Sequence, residues 1–382
     1  VNFAFDEDQD LLRSTTRRYL DDKHPLRSLR GIIETDETVD RSAWQAGAAL
    51  GWAAMLIPPT HDGGSVTDQP LVDLVVVGEE LGRVLHPAPL LPVNVVADAL
   101  ARSGTETARR RYLGALARGQ LLAAWCFTAD GSAELTSVAV DAVPEGDGYR
   151  LDGVARYVEA GSVADLLLVS ATVAGDLVQV LVPRESPGIS VRQMVGIDLT
   201  RRYAEVTFEN TPAESSLVLA GPGSEAGALT ERALAIAAVL QGSQSVGSAG
   251  QLLDATVTYT KDRVQFGRPI GSFQAIKHRL ADLHIAVEAM RAAVHYAALA
   301  VDGELADSAE AVSVVGSYAK DAFAFLAGEC LQIHGGIGFT WEHDVHLFLR
   351  RAKTDQVLYG EPSWHRERLC RLLEQTALAE AI

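Results

Sequence analysis

Cysteine is nearly missing from this chain. Its 382 residues include three, Cys126, Cys330 and Cys370, far apart in sequence. With no C-x-x-C spacing they cannot form a zinc knuckle, and an odd number cannot close a disulfide framework. Buried or half-buried free thiols are expected instead. Basic residues are also in short supply, 33 Lys and Arg against 50 Asp and Glu, for a net charge of −17. Nucleic-acid binders draw their affinity from Lys and Arg neutralising phosphates, so nucleic acid is excluded as the main partner. An anionic membrane surface is an equally poor match. No run of about 18 apolar residues occurs, so no membrane span is expected. The acidic N-terminus lacks the basic and apolar regions of a secretion signal, which predicts a cytoplasmic protein. Internal repeats and low-complexity tails are missing too.

What is present is the balance of a globular protein, 48% hydrophobic and 22% charged residues. The length predicts two or three packed units. Residues 1–120 read as helical: acidic Asp6, Glu7 and Asp8 suit a helix N-terminus, Leu11, Leu12, Thr15 and Tyr19 recur at helical spacing, and further helices are expected over 71–84 and 109–122. From about Ala123 the period becomes two, and short β-type runs alternate with Gly, Pro and Asp turns through residue 222. That pattern predicts a small antiparallel sandwich or barrel. Residues 223–382 are helical again, with small residues Ser243, Gly247 and Gly250 on a long Ala-rich helix that invites close packing. The fold class is therefore α+β by segregation: a helical domain (1–120), a β-domain (121–222) and a helical bundle (223–382).

The Gly335-Gly-Ile-Gly-Phe339 segment lacks G-x-G-x-x-G spacing and a strand-to-helix context, so it does not predict a dinucleotide fold. Glu342-His-Asp-Val-His346 reads as solvent-facing polar residues at a helix start, not a metal site, and Arg109–Arg111 is too short for a polyanion tract.

Two C-terminal segments carry more information. One is Arg263-Val-Gln-Phe-Gly-Arg-Pro-Ile-Gly-Ser-Phe-Gln274; the other is Gln332-Ile-His-Gly-Gly-Ile-Gly-Phe-Thr340, followed by Arg350-Arg-Ala-Lys353. Together with the three-zone order, they resemble the acyl-CoA dehydrogenase family along essentially the whole chain. The resemblance implies a helical N-terminal domain, a β-barrel or sandwich middle domain and a C-terminal four-helix bundle. It also implies FAD as cofactor, an acyl-CoA substrate, an electron-transfer flavoprotein partner and a dimer-of-dimers assembly. By the same resemblance Arg263 approaches the FAD pyrophosphate, where a guanidinium can bond two oxygens at once, with Gln265 and Phe266 beside it. Phe273 and Gln274 lie near the adenosine, and Gln332, Gly335 and Gly336 form a close-approach loop, these contacts reaching a neighbouring subunit's flavin. Trp125, Phe127 and Thr128 stand where the family packs the flavin ring, although Ala129 and Asp130 replace its Glu-Pro pair. Tyr157 to Glu159 replaces a Trp-Ile-Thr, putting a carboxyl where a hydroxyl would face the flavin.

The family's reaction removes the α-proton of an acyl-CoA thioester with a carboxylate while the β-hydride passes to the flavin, which needs a desolvated acid beside Cα. Here the loop after Arg350-Arg-Ala-Lys353 reads Leu358-Tyr-Gly-Glu361. Matching Pro362, His365 and Arg366 puts Gly360 at the base position, and counting forward from Gln332 puts Tyr359 there. The alternative position on the long helix is Ala237. Glu361 is the nearest candidate base in a self-sufficient dehydrogenase. The rival reading is a subunit that needs a related partner to supply the base, as in bacterial heterotetrameric members. A related flavin oxidase or monooxygenase is the third.

Overall fold

The computed structural model describes residues 5–34, 39–128, 134 and 137–380; Ala129 and Asp130 lie outside them. Six helices come first: α1 (Glu7–Lys23), α2 (Leu29–Ile33), α3 (Arg41–Ala48), α4 (Pro70–Arg83), α5 (Leu90–Ser103) and α6 (Glu106–Ala117). The acidic start of α1 is a capping box. The Asp6 carboxylate accepts the Gln9 amide at 2.8 Å, and the Gln9 side chain accepts the Asp6 amide at 3.3 Å. Pro92 sits in the first turn of α5, where a missing N–H costs nothing.

Eight strands follow: β1 (Ala123–Cys126), β2 (Val140–Glu145), β3 (Gly148–Glu159), β4 (Leu166–Val173), β5 (Asp176–Pro183), β6 (Ile189–Met194), β7 (Tyr203–Ala213) and β8 (Val218–Ala220). They form one sheet in the order β6-β7-β3-β2-β4-β5-β8, with β1 on β4. The sheet is mixed, which corrects the purely antiparallel expectation: β1 runs parallel to β4, and β2 meets β4 in parallel at Asp141 and Thr172. Alternation in a single run cannot report the direction of its neighbour. Period two divides β1 between two cores. Ala124 and Cys126 face the sheet's own interior with Val169, Val180 and Phe208, while Ala123 and Trp125 face the helices.

The chain closes with α7 (Ser224–Asp262), a hairpin of β9 (Val264–Gln265) and β10 (Arg268–Pro269), then α8 (Gln274–Asp302), α9 (Ser308–His334), α10 (Val345–Asp355) and α11 (Pro362–Glu380). Helix α7 is the axis of the molecule, buried on most sides. Its small residues serve packing. A Cβ on Gly247 would lie 1.8 Å from the Glu79 carbonyl oxygen, and one on Gly82 would lie 2.0 Å from that of Gln244, so α4 and α7 touch backbone to backbone. Two buried carboxylates on α4 bind this contact to its neighbours. Glu79 meets Arg13, Arg291 and His295, and Glu80 meets Arg17 and Arg83. Among the described residues, no helix is long and apolar enough to cross a membrane.

Candidate functional site

The segments 263–274 and 332–339 converge at one end of the bundle. Tyr259, in the last turn of α7, stacks on His334, in the last turn of α9, with ring centroids 4.4 Å apart, and its hydroxyl donates to the His334 carbonyl at 3.2 Å. Arg263 follows as the C-cap of α7, and Gly335 follows as the C-cap of α9 with φ +65°. The β9–β10 hairpin turns through Phe266 and Gly267, both left-handed, which leaves the Phe266 ring 92% exposed. Phe273 lies edge-on to Phe266 with the Arg268 guanidinium 4.1 Å above its ring. Arg263, Gln265, Gln274, Gln332 and Gly336 are all exposed, and a Cβ on Gly335 or Gly336 would meet nothing within 4 Å. Ile337 and Phe339 add exposed apolar surface. The result is an open, part-cationic, part-aromatic end with clear access to backbone.

The sheet side is the opposite. Trp125 is buried, its indole N–H donating to Ser170 at 3.0 Å; Phe127 stacks on it at 4.6 Å, and Tyr359 lies parallel to it at 6.2 Å. Thr128 is buried, and its carbonyl accepts the Arg156 amide. Tyr157 is left-handed and 39% exposed. Two residues on, Glu159 points inward to a buried ionic cluster that connects sheet and bundle. Arg201 donates to Asp355 at 3.0 Å and lies 3.7 Å from Glu159; Arg351 pairs with Asp198 and Thr200. Gln241 and Ser245 on α7 reach Asp355 at 3.3 and 3.5 Å. Three carboxyls face two guanidinium groups here. Asp198 and Asp355 each have a close cation, whereas Glu159 Oε2 has no hydrogen-bond partner. Burial pushes the Glu159 carboxyl above its ordinary range, with Arg201 and Arg351 pulling only partly against it.

Both candidate base positions lie inside the packed chain. Ala237 is fully buried on α7. Tyr359 is left-handed, φ +56°, with its ring over Trp125; Gly360 is buried with φ +92°. Glu361 is exposed at the head of α11, 3.4 Å from the Ser363 hydroxyl, and its carbonyl accepts the His365 amide at 3.1 Å. The residues 358–360 are held from below by two buried basic side chains, Lys320 and His365. Farther along, His346 is buried against Trp341 at 4.8 Å, so the Glu342–His346 stretch is not all surface, and Asp344 pairs with Arg30.

Comparison with known proteins matches these parts to one family. The model for the acyl-CoA dehydrogenase N-terminal domain matches residues 6–120, and that for the C-terminal domain matches residues 227–373. The acyl-CoA dehydrogenase IpdE2 of Mycolicibacterium smegmatis is 32% identical over 367 residues, 96% of this chain and 98% of that protein. The chain belongs to the acyl-CoA dehydrogenase family. Another relative, cyclohex-1-ene-1-carbonyl-CoA dehydrogenase of Geobacter metallireducens, is 31% identical over 82% of this chain and 84% of its own length. Among solved structures, the steroid acyl-CoA dehydrogenase Tcur3481-Tcur3483 superimposes with a TM-score of 0.88 at 28% identity, covering 97% of this chain and 99% of that one.

Acyl-CoA dehydrogenases are FAD-dependent oxidoreductases. Tested against that cofactor, the two sides of this chain differ. The bundle end fits the pyrophosphate and adenosine: Arg263 is an exposed cation beside open backbone. The sheet side departs from what an isoalloxazine needs at one residue, because the Glu159 carboxyl, drawn into the ionic cluster, stands where a neutral donor would suit the ring. Sequence reasoning missed Arg201, Asp198, Asp355 and Lys320. A signal for the cluster existed in Glu159 itself, since a carboxyl in an apolar strand end needs cations from elsewhere in the chain.

Proposed function

We propose that this chain is one subunit of a hetero-oligomeric, FAD-dependent acyl-CoA dehydrogenase. It presents its bundle end to a flavin held chiefly by a related partner, and the partner supplies the carboxylate that removes the substrate α-proton. The observation that carries this reading is that no carboxylate occupies the expected base positions. The positions at which a base is expected hold Ala237, Tyr359 and Gly360, each built into the packing, and Glu361 faces solvent. Arg263, Gln265, Phe273, Gln274, Gln332 and the Gly335–Gly336 turn then act on the partner's cofactor, binding phosphate by charge and leaving room for close backbone approach. The exposed Phe266 and Phe339 are the apolar surface that such a partner would cover. A steroid-derived acyl-CoA thioester is the substrate class to try first, by likeness to the steroid dehydrogenase above. An electron-transfer flavoprotein is the expected electron acceptor.

The test is purification of the chain alone and together with a co-expressed family member. A colourless chain that joins a yellow complex, in which Glu361→Gln leaves acyl-CoA turnover unchanged, supports the proposal. A yellow homo-oligomer of this chain alone, bleached by acyl-CoA and inactivated by Glu361→Gln, would overturn it in favour of a self-sufficient enzyme.

A further inference from the structure

Residues 358–360 expose three consecutive carbonyls to the interior of the bundle, and each has a basic partner. The Lys320 ammonium, on α9, donates to the Leu358 and Gly360 carbonyls, both at 2.6 Å. His365 Nε2, on α11, lies 3.1 Å from the Tyr359 carbonyl. Both side chains are buried. Space for the imidazole exists because α9 has no side chain at Gly316, where a Cβ would fall 2.3 Å from the His365 ring. Between these anchors Tyr359 takes a left-handed conformation, φ +56°, that an L-residue adopts only at a steric cost. Such a conformation persists where its surroundings over-determine it.

We infer that Lys320 is a positioning residue: together with His365 it fixes residues 358–360 so that Tyr359 closes on Trp125. The inference rests on the reading that this loop stands where the family's base loop stands. It assigns the placement of the Tyr359 ring beside Trp125 to a specific device. Lys320 hydrogen-bonds the loop only through its backbone carbonyls, and its one electrostatic partner in the ionic cluster is Asp355.

The device has a pH signature. Lys320 faces Asp355 from α10, Glu361 from the loop and His365 from α11. Burial lowers its pKa from 10.5 to about 7, with Asp355 and Glu361 opposing. Burial also takes His365 to about 3, so that ring stays neutral across the range that matters. A loop opening that returns Lys320 to water therefore takes up a proton. Below about pH 7 the protonated amine carries its full burial cost in the closed loop, and that cost fades as pH rises toward the solvated value. The closed loop gains stability with rising pH.

Hydrogen exchange of the full-length chain reads this directly. After correction for intrinsic rates, protection of the peptide spanning 356–362 should rise about tenfold per pH unit between pH 7 and 9, with peptides of α9 and α11 unaffected. Lys320→Met should speed exchange of that peptide at least tenfold and flatten its pH dependence. Unchanged protection in the variant, or a flat pH profile in the wild-type chain, overturns the inference. Should Lys320→Met fail to fold, the wild-type profile alone decides. None of these readings needs flavin or a partner subunit, so the subunit proposal and this one can fail separately.

Discussion

The Tyr359 ring lies parallel to the Trp125 indole, with planes 6° apart and centroids 6.2 Å apart, although 234 residues separate them in sequence. Sheet and bundle meet at this pair, and its two anchors differ in kind. Trp125 is fixed by a side-chain hydrogen bond to Ser170, and Tyr359 by its backbone.

The backbone of Tyr359 makes a distinctive prediction. Tyr359→Ala loses the stack and should cost ~2 kcal/mol in chemical denaturation, less than a full aromatic truncation because the ring is only partly buried. Tyr359→Gly loses the same ring but relieves the left-handed strain. The Gly variant should therefore be at least as stable as the Ala variant, the reverse of the usual order. A Gly variant clearly weaker than the Ala variant would contradict the conformation.

Two glycines on one helix provide a second contrast. Gly247→Ala drives a methyl into the Glu79 carbonyl and should cost ~3 kcal/mol or more, since backbone on backbone cannot yield without separating α4 from α7. Gly250→Ala, three residues on, meets nothing within 4 Å and should stabilise by up to ~1 kcal/mol through helix propensity. Paired thermal melts check both. Equal effects would mean that the close approach of α4 and α7 is not as described.

Much of the architecture was legible because it is local. The switch of period from 3.6 to two at Ala123 marks where helices give way to strands, and the acidic run Asp6 to Asp8 announces the start of α1. The close approach at Gly247 followed from the small residues on α7. What stayed hidden is long-range. Nothing near Glu159 indicates Arg201 or Asp355, which reach it from 42 and 196 residues away. Counting along the loop could place Tyr359 or Gly360 at the base position, but it could not reveal that Lys320 holds the carbonyls beneath them. The parallel pairing of β1 with β4 is likewise a property of two segments, not of either run.

The buried cluster predicts how stability depends on pH. Glu159 and Asp355 are both raised above their ordinary values, first by burial and then against the pull of Arg201 and Arg351. A carboxyl with a raised folded-state pKa binds its proton more tightly in the native chain. Its effect is absent below the unfolded value, becomes increasingly destabilising as pH rises from there to the folded value, and stays at its full size above that. Glu159→Gln keeps the shape and removes this ionisation. The variant should be at least as stable as the parent at pH 8, and its advantage should shrink toward pH 4. Urea titrations across that range measure it. A variant markedly weaker at pH 8 would mean that ionised Glu159 is a needed partner of Arg201.

The bundle end separates folding from assembly. Phe266 is 92% exposed at the tip of the β9–β10 hairpin, so Phe266→Asp removes almost no buried area and should leave the thermal midpoint of the isolated chain within ~2 °C. If a partner covers this tip, the same substitution places an unpaired carboxylate in an apolar contact. Association should then weaken by ~2 kcal/mol or more, roughly 30-fold, as measured by sedimentation of the mixed subunits. Arg263→Ala should behave differently. Its loss leaves the apolar contact intact but removes an exposed cation from the phosphate side, so the complex should assemble and then lose FAD on dilution. If Phe266→Asp assembles normally, or Arg263→Ala retains FAD as the parent does, this end of the bundle is not where the flavin-bearing partner docks.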